Sequence, residues 1–304
     1  MKIIFVGQGP FGEHVLKRLQ EKEEDLQAAF CPQGGAGEGI QALAEAAGLD
    51  VFQPGHMKDP EVLEAFRRLA PDLVVLAFVT DILPEELLEV PRQGTICYHP
   101  SLLPRHRGAS SINWAIIQGE TRTGLSILWA DKGIDTGPIL LQKEVAIDPE
   151  DTTGSLYFQK LFPLGVEAML EAVELIKAGQ APRIRQDEGQ ASYEPPCDDA
   201  VAQVDWSQPA QIVFNLIRGC DPQPGAYSYC QGRMIRFYGA RLLAETKDRR
   251  PPGEILAVQG DGVRVALQGG TLVIGKMRSP DTGKIDATAF ARQQQLQAGM
   301  HFGS

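Results

Sequence analysis

Two short segments bring together residue types suited to proton transfer. The first is Cys97-Tyr98-His99-Pro100-Ser101-Leu102-Leu103-Pro104-Arg105-His106-Arg107-Gly108. It leaves an apolar run at 95–98 that reads as a buried strand and enters a loop stiffened by prolines. A histidine at the carboxyl end of a parallel strand stands where such sheets bind ligands, and its imidazole exchanges protons near neutral pH. A lone histidine is more often a hydrogen-bonded core residue, and loop arginines are more often solvated. The density of Pro, Ser and Arg around His99 argues for more than that. The second segment is Trp129-Ala130-Asp131-Lys132-Gly133-Ile134-Asp135-Thr136-Gly137-Pro138, a tight turn between two apolar stretches. Turns favour Asp and Gly for local reasons. An aspartate so presented also pairs with a histidine and orients its proton, or positions a water, which makes Asp135 the second half of an acid/base pair. Cys97 lies two residues before His99. A cysteine on a buried strand usually packs, and a covalent nucleophile is its alternative role.

A third motif, Gly7-Gln8-Gly9-Pro10-Phe11-Gly12, is a literal GxGxxG between a strand and a helix. A dinucleotide site would also want a carboxylate at the end of the second strand to hold the ribose. That strand ends Phe30-Cys31-Pro32-Gln33, so the glycines read as tight packing of the first turn, with no NAD site.

The elements that position these segments follow from apolar patterning. Strands are expected at 2–6, 26–31, 51–52, 73–78 and 95–98, with helices at 14–20, 40–47 and 60–69 between them. That alternation predicts an α/β fold: a Rossmann-like parallel sheet with helices on both faces. Two more strands, 125–130 and 138–145, flank the Asp131/Asp135 turn, and a helical stretch covers about 155–178. The texture then turns to Pro, Gly, Gln and acidic residues. This predicts a catalytic domain at 1–180, a linker at 181–204 and a C-terminal domain at 205–304. Short strands spaced by Gly and Pro make the last a small β-barrel, OB-like.

Bulk properties bound the partners. The net charge is −10, divided unevenly: residues 200–304 hold 12 Lys and Arg against 8 Asp and Glu, and the rest 17 against 31. An acidic body is a poor general nucleic-acid binder, so DNA is not expected, while the mildly basic C-terminal region leaves an RNA contact open. Five scattered cysteines without a CxxC pair give no zinc pattern and suggest a reducing cytoplasm. No apolar run reaches the roughly 20 residues a membrane span needs, and the opening residues read as a strand rather than a signal peptide.

His-Pro-Ser-Leu-Leu-Pro-x-x-Arg-Gly followed by Asp-x-Gly-x-Asp-Thr-Gly resembles the 10-formyltetrahydrofolate-dependent formyltransferase superfamily, over nearly the whole chain. Within it, the run from Tyr98 to Ser110, Ile112-Asn113-Trp114, Phe162-Pro163, Ala181-Pro182-Arg183 and Pro224-Gly225-Ala226 are most similar to the N-terminal hydrolase domain of 10-formyltetrahydrofolate dehydrogenase. The two-domain layout resembles that of methionyl-tRNA formyltransferase. The resemblance implies attack on the formyl carbon of 10-formyltetrahydrofolate as co-substrate, with His99 and Asp135 catalytic and no metal. It places the folate at loop 79–84 and the backbone of 131–135. Phe78, Ile82 and Leu87 would flank the pterin, and Leu83 and Lys132 would offer it backbone hydrogen bonds. Ser101, Arg105, Arg107, Gly108 and Asp131 complete the expected site.

One departure from the superfamily stands out. Most of its transferases have Asn where this chain has Cys97, and the hydrolase domain of the dehydrogenase also lacks that Asn. Losing such an amide donor to an oxyanion typically costs about 100–1,000-fold in rate, and a thiol donates weakly. Hydrolysis to formate and tetrahydrofolate is therefore the first reading. The chain ends at Ser304 without the dehydrogenase's further domains, so an amine acceptor stays open: methionyl-tRNA, then an amino sugar nucleotide or small biosynthetic amine. Against tRNA stands 32–39, Pro-Gln-Gly-Gly-Ala-Gly-Glu-Gly, where tRNA formyltransferases carry a longer basic loop. A folate-binding module without turnover is the reading from another class.

Overall fold

The computed structural model describes residues 1–243 and 250–303. They form two compact units. One comprises Met1–Gly108, Gly124–Val145 and Gln159–Tyr193, and the other Ala109–Thr123, Ala146–Phe158 and Glu194–Ser304.

In the first unit, strand and helix alternate as β1 (Ile3–Gly7), α1 (Gly9–Glu21), β2 (Leu26–Phe30), α2 (Glu38–Ala46), β3 (Asp50–Phe52), α3 (Pro60–Leu69), β4 (Leu73–Ala77), α4 (Glu85–Leu88) and β5 (Gly94–His99). After α5 (Ser111–Ile117), which belongs to the other unit, come β6 (Arg122–Trp129) and β7 (Ile139–Ala146). The strands order as β3-β2-β1-β4-β5-β6-β7. The first five are parallel and β6 runs antiparallel to β5.

Every residue of β1 and β4 is buried. Successive side chains on a strand point to opposite faces, so Ile3 and Phe5 join the core under α1 while Ile4 and Val6 join the one under α3. This is why the strands read as unbroken apolar runs rather than alternating ones. The order in which strands are added switches from one side of β1 to the other between β3 and β4, and the carboxyl ends of β4 and β5 carry the loops of interest.

The long helix expected near 155–178 is continuous but not uniform. It comprises α6 (Thr153–Leu156), a π-helical turn at Tyr157–Leu161 and α7 (Phe162–Lys177). The glycine-rich opening is also more helical than its sequence suggests, since α1 starts at Gly9 directly after β1. A Cβ on Gly12 would stand 3.2 Å from the Ala77 carbonyl oxygen and 3.0 Å from Ile40. The motif thus serves helix–sheet packing.

The stretch after α7 is extended and tied down through Tyr193. Ile184 pairs with Ile139, Tyr193 bridges to Arg107, and Gln186 is buried. Residues 181–193 therefore belong to the first unit rather than hanging free between two domains.

In the second unit, α8 (Ala210–Gly219) precedes β8 (Tyr227–Cys230), β9 (Arg233–Leu243), β10 (Ile255–Gln259), β11 (Gly262–Leu267), β12 (Gly270–Arg278), β13 (Ile285–Asp286) and α9 (Ala287–Gln293). The sheet is antiparallel, ordered β10-β11-β12-β9-β8 with β13 against β12. Among the described residues this is an open path, so the pairing establishes an antiparallel sheet and not the closed barrel expected from the strand spacing. Its core gathers Trp206, Phe214, Phe237, Phe290 and Phe302. Among the described residues no helix is long and apolar enough to cross a membrane.

Candidate active site

His99 is the last residue of β5 and is 5% exposed. Its Nε2 lies 2.8 Å from the His106 carbonyl oxygen. A carbonyl only accepts, so Nε2 carries a hydrogen and donates. That fixes the ring and leaves Nδ1 as the edge free to exchange protons. Nδ1 faces Asp135 Oδ2 at 3.5 Å. This is longer than a well-formed hydrogen bond, and a small approach of the two side chains would let a proton pass between them.

Asp135 is held from two sides. Its Oδ2 accepts from the Gly108 amide at 2.9 Å, and its carbonyl accepts from Gln186 Nε2 at 2.8 Å. Asp131, the other carboxylate of the turn, is occupied locally: its Oδ1 accepts from Gly133 N at 3.0 Å and Thr136 Oγ1 at 2.7 Å. The turn thus uses one Asp to shape itself and presents the other. Gly137 closes it where only glycine fits, since a Cβ there would meet the Trp129 carbonyl oxygen at 1.8 Å.

Backbone strain concentrates here. Asp135 and His106 both have φ of 56°, and Phe78, just beyond β4, has φ of 60°. Left-handed backbone in non-glycine residues costs energy and tends to gather at functional sites.

Arg107 is neither solvated nor directed outward. Its guanidinium is 7% exposed, donates to Gln186 Oε1 through Nε (3.2 Å) and Nη2 (2.9 Å), and forks onto Glu188 at 2.9 and 2.8 Å. Glu188 is the main cause that pushes the guanidinium above its ordinary range. Ser101 is also used inside the loop: its hydroxyl donates to the Arg105 carbonyl at 2.7 Å and its own carbonyl accepts from Ser126 at 2.7 Å. Arg105 and Lys132 are exposed.

Of the apolar residues expected against the pterin, Phe78 is 44% and Ile82 66% exposed, whereas Leu87 is 1% exposed and sits with Leu83 in the core under the sheet. Sequence reading overlooked Ile134, which is also 44% exposed. Exposed large apolar side chains on the loop after β4 and in the Asp131–Gly137 turn suit a flat, partly apolar ligand. Among the described residues no group of three or more His, Cys, Asp or Glu could hold a metal ion.

Cys97 packs against Leu103, Leu128 and Ile139. Burial, reinforced by the charge of Asp135, pushes its thiol up to about 12. A thiol raised in this way is a poor nucleophile at neutral pH, which counts against the covalent role considered for it. Iodoacetamide at neutral pH is accordingly expected to leave Cys97 unmodified in the native protein. Peptide mapping after brief labelling checks this, and carbamidomethyl-Cys97 in folded protein would refute it.

A buried histidine at a strand's carboxyl end faces an aspartate from the turn between β6 and β7 on a mostly parallel sheet, an arrangement able to exchange protons. The chain belongs to the formyl transferase family: residues 1–173 match the formyl transferase model, and 197–295 match the formyl transferase C-terminal domain. It is 41% identical to human mitochondrial 10-formyltetrahydrofolate dehydrogenase over 267 residues, covering 86% of this chain but 29% of that protein. It is 36% identical to methionyl-tRNA formyltransferase from Geotalea uraniireducens over 311 residues, 100% of this chain and 98% of that one. In fold it is similar to HypX from Aquifex aeolicus, solved in complex with tetrahydrofolic acid, with a TM-score of 0.71, 23% identity and coverage of 96% of this chain and 47% of that one.

Proposed function

We propose that the protein hydrolyses 10-formyltetrahydrofolate to tetrahydrofolate and formate, with His99 and Asp135 as its catalytic residues. The observation that carries the proposal is the fixed Nε2–H of His99, which turns Nδ1 toward Asp135. Water attacks the formyl carbon and passes a proton to Asp135, a C–O bond forms, and the carbonyl electrons move onto oxygen. A proton on Nδ1 makes the imidazole cationic and steadies that oxyanion. Collapse breaks the bond between carbon and N10, and the proton taken from water is delivered to N10. Phe78, Ile82 and Ile134 supply apolar surface for the pterin and its neighbouring ring.

Water as acceptor is supported by Cys97, a weak donor where an amide would speed transfer, and by the human dehydrogenase relative. The second reading is transfer to methionyl-tRNA. It is favoured by the match along the whole Geotalea transferase, and by a sheet register that sets Arg236 opposite Arg278 and Tyr238 opposite Lys276.

One assay separates the two. With 10-formyltetrahydrofolate alone, formate and tetrahydrofolate are expected to appear in equal amounts. Turnover only after methionyl-tRNA is added, with the formyl label on methionine, would replace hydrolysis by transfer.

A further inference from the structure

Away from the acid/base site, the second unit holds two thiols in contact. Cys197 Sγ and Cys220 Sγ are 3.7 Å apart. We propose that Cys197 and Cys220 form a peroxide-reactive dithiol that closes to a disulfide, with Cys197 oxidised first and Cys220 resolving. The two positions are unlike in the way this division of labour requires. Cys197 is half-buried on an irregular segment and lines an open cavity of about 620 Å³ beside Ser110, Asn113 and Gln223. Cys220 is fully buried at the end of α8. The cavity wall thus offers the first sulfur to a molecule the size of peroxide, whereas the second is 0% exposed.

The surrounding bonds hold the pair in register. The Cys197 amide donates to Ser110 Oγ at 2.9 Å. Asn113 Nδ2 donates to the carbonyls of Gly219 at 2.8 Å and Gln223 at 3.1 Å, on either side of Cys220. A disulfide needs sulfurs at about 2.05 Å, so closure asks for a side-chain rotation and a small shift of the irregular Cys197 segment. The thiols also differ in acidity. A hydrogen bond from Cys220 holds the Cys197 thiol below its ordinary range, whereas burial pushes Cys31 and Cys230 up. The thiolate is the reactive form, so oxidant selects Cys197.

The chemistry balances with hydrogen peroxide as oxidant. The Cys197 thiolate attacks one peroxide oxygen, an S–O bond forms, the O–O bond breaks, and the departing hydroxide takes a proton to become water. The Cys220 sulfur then attacks the sulfenic sulfur of Cys197. The S–S bond forms, the S–O bond breaks, and a second water leaves with the Cys220 proton. Two thiols lose two electrons and two protons, and one peroxide becomes two waters.

The test is thiol mapping of the whole purified chain after hydrogen peroxide, with N-ethylmaleimide added in denaturant before proteolysis. Cys197 and Cys220 are expected to lose alkylation together and to appear in one cross-linked peptide pair that dithiothreitol releases. In Cys220→Ser, Cys197 is expected to stop as a sulfenic acid trapped by dimedone. In Cys197→Ser, Cys220 is expected to remain fully alkylatable. The proposal fails if wild-type Cys197 accumulates as sulfinic acid while Cys220 stays alkylated. It also fails if Cys220 oxidises as fast without Cys197, or if both thiols survive a dose that oxidises a free cysteine peptide. The wild-type measurement stands whatever the variants' folding.

Discussion

His99→Ala is expected to lower formate release from 10-formyltetrahydrofolate by at least about 100-fold, and up to 10,000-fold, the range a positioned general acid or base contributes. The fold should survive. His99 sits at a strand end, and its side chain makes one hydrogen bond to a loop carbonyl, so alanine leaves the buried body of β5 unchanged. Asp135→Asn is the sharper companion. Its amide oxygen still accepts from the Gly108 amide, which keeps the loop closed, but the group no longer takes or gives a proton. A loss as large as that in His99→Ala would mark Asp135 as chemical rather than architectural. Single-turnover formate release, with far-UV circular dichroism on each variant, makes the comparison. Wild-type turnover in folded Asp135→Asn would rule out the dyad.

The dyad was legible because each half is announced locally. His99 follows an apolar run of strand length, and the Asp131–Gly137 turn shows its Asp and Gly spacing in the sequence. The partners that hold the dyad were not legible, because they are distant in the chain and chemically ordinary. Gln186 falls in a stretch of Pro, Gly, Gln and acidic residues whose composition says linker, yet it is buried against the Asp135 turn. His106 matters through its carbonyl, which no residue type advertises. Arg107 reads as a loop charge because the sequence hides that Glu188 and Gln186 come to it.

The sheets show the same division. Continuous apolar runs identify β1, β4 and β5, since burial on both faces leaves no alternation to misread. The spacing of short strands after α8 identifies a sheet but not its closure, which depends on register and twist rather than composition.

Gln186→Leu is expected to do more damage than a residue outside the reacting atoms ordinarily does. Gln186 Nε2 donates to two carbonyls of the Asp131–Gly137 turn, Asp135 at 2.8 Å and Gly137 at 2.7 Å, while its Oε1 accepts twice from Arg107. One side chain therefore ties the loop carrying Asp135 to the loop that leaves His99. Leucine fills the space but leaves the Gly137 carbonyl and Arg107 Nε stranded, at about 1–3 kcal/mol for each unmet buried group. A stability loss of roughly 2–6 kcal/mol follows, read from the denaturant midpoint of unfolding. The activity effect separates from it through two further variants. Gln186→Glu keeps the acceptor for Arg107 but sets a carboxylate against two carbonyl oxygens. Arg107→Leu keeps both bonds to the turn and removes the cation. If holding Asp135 in its left-handed conformation is what Gln186 contributes, Gln186→Glu lowers kcat at least as far as Gln186→Leu, and Arg107→Leu lowers it less. The opposite order, measured below the onset of unfolding, would place the contribution in the Arg107 anchor instead. The turn would then be held by its own Asp131 bonds.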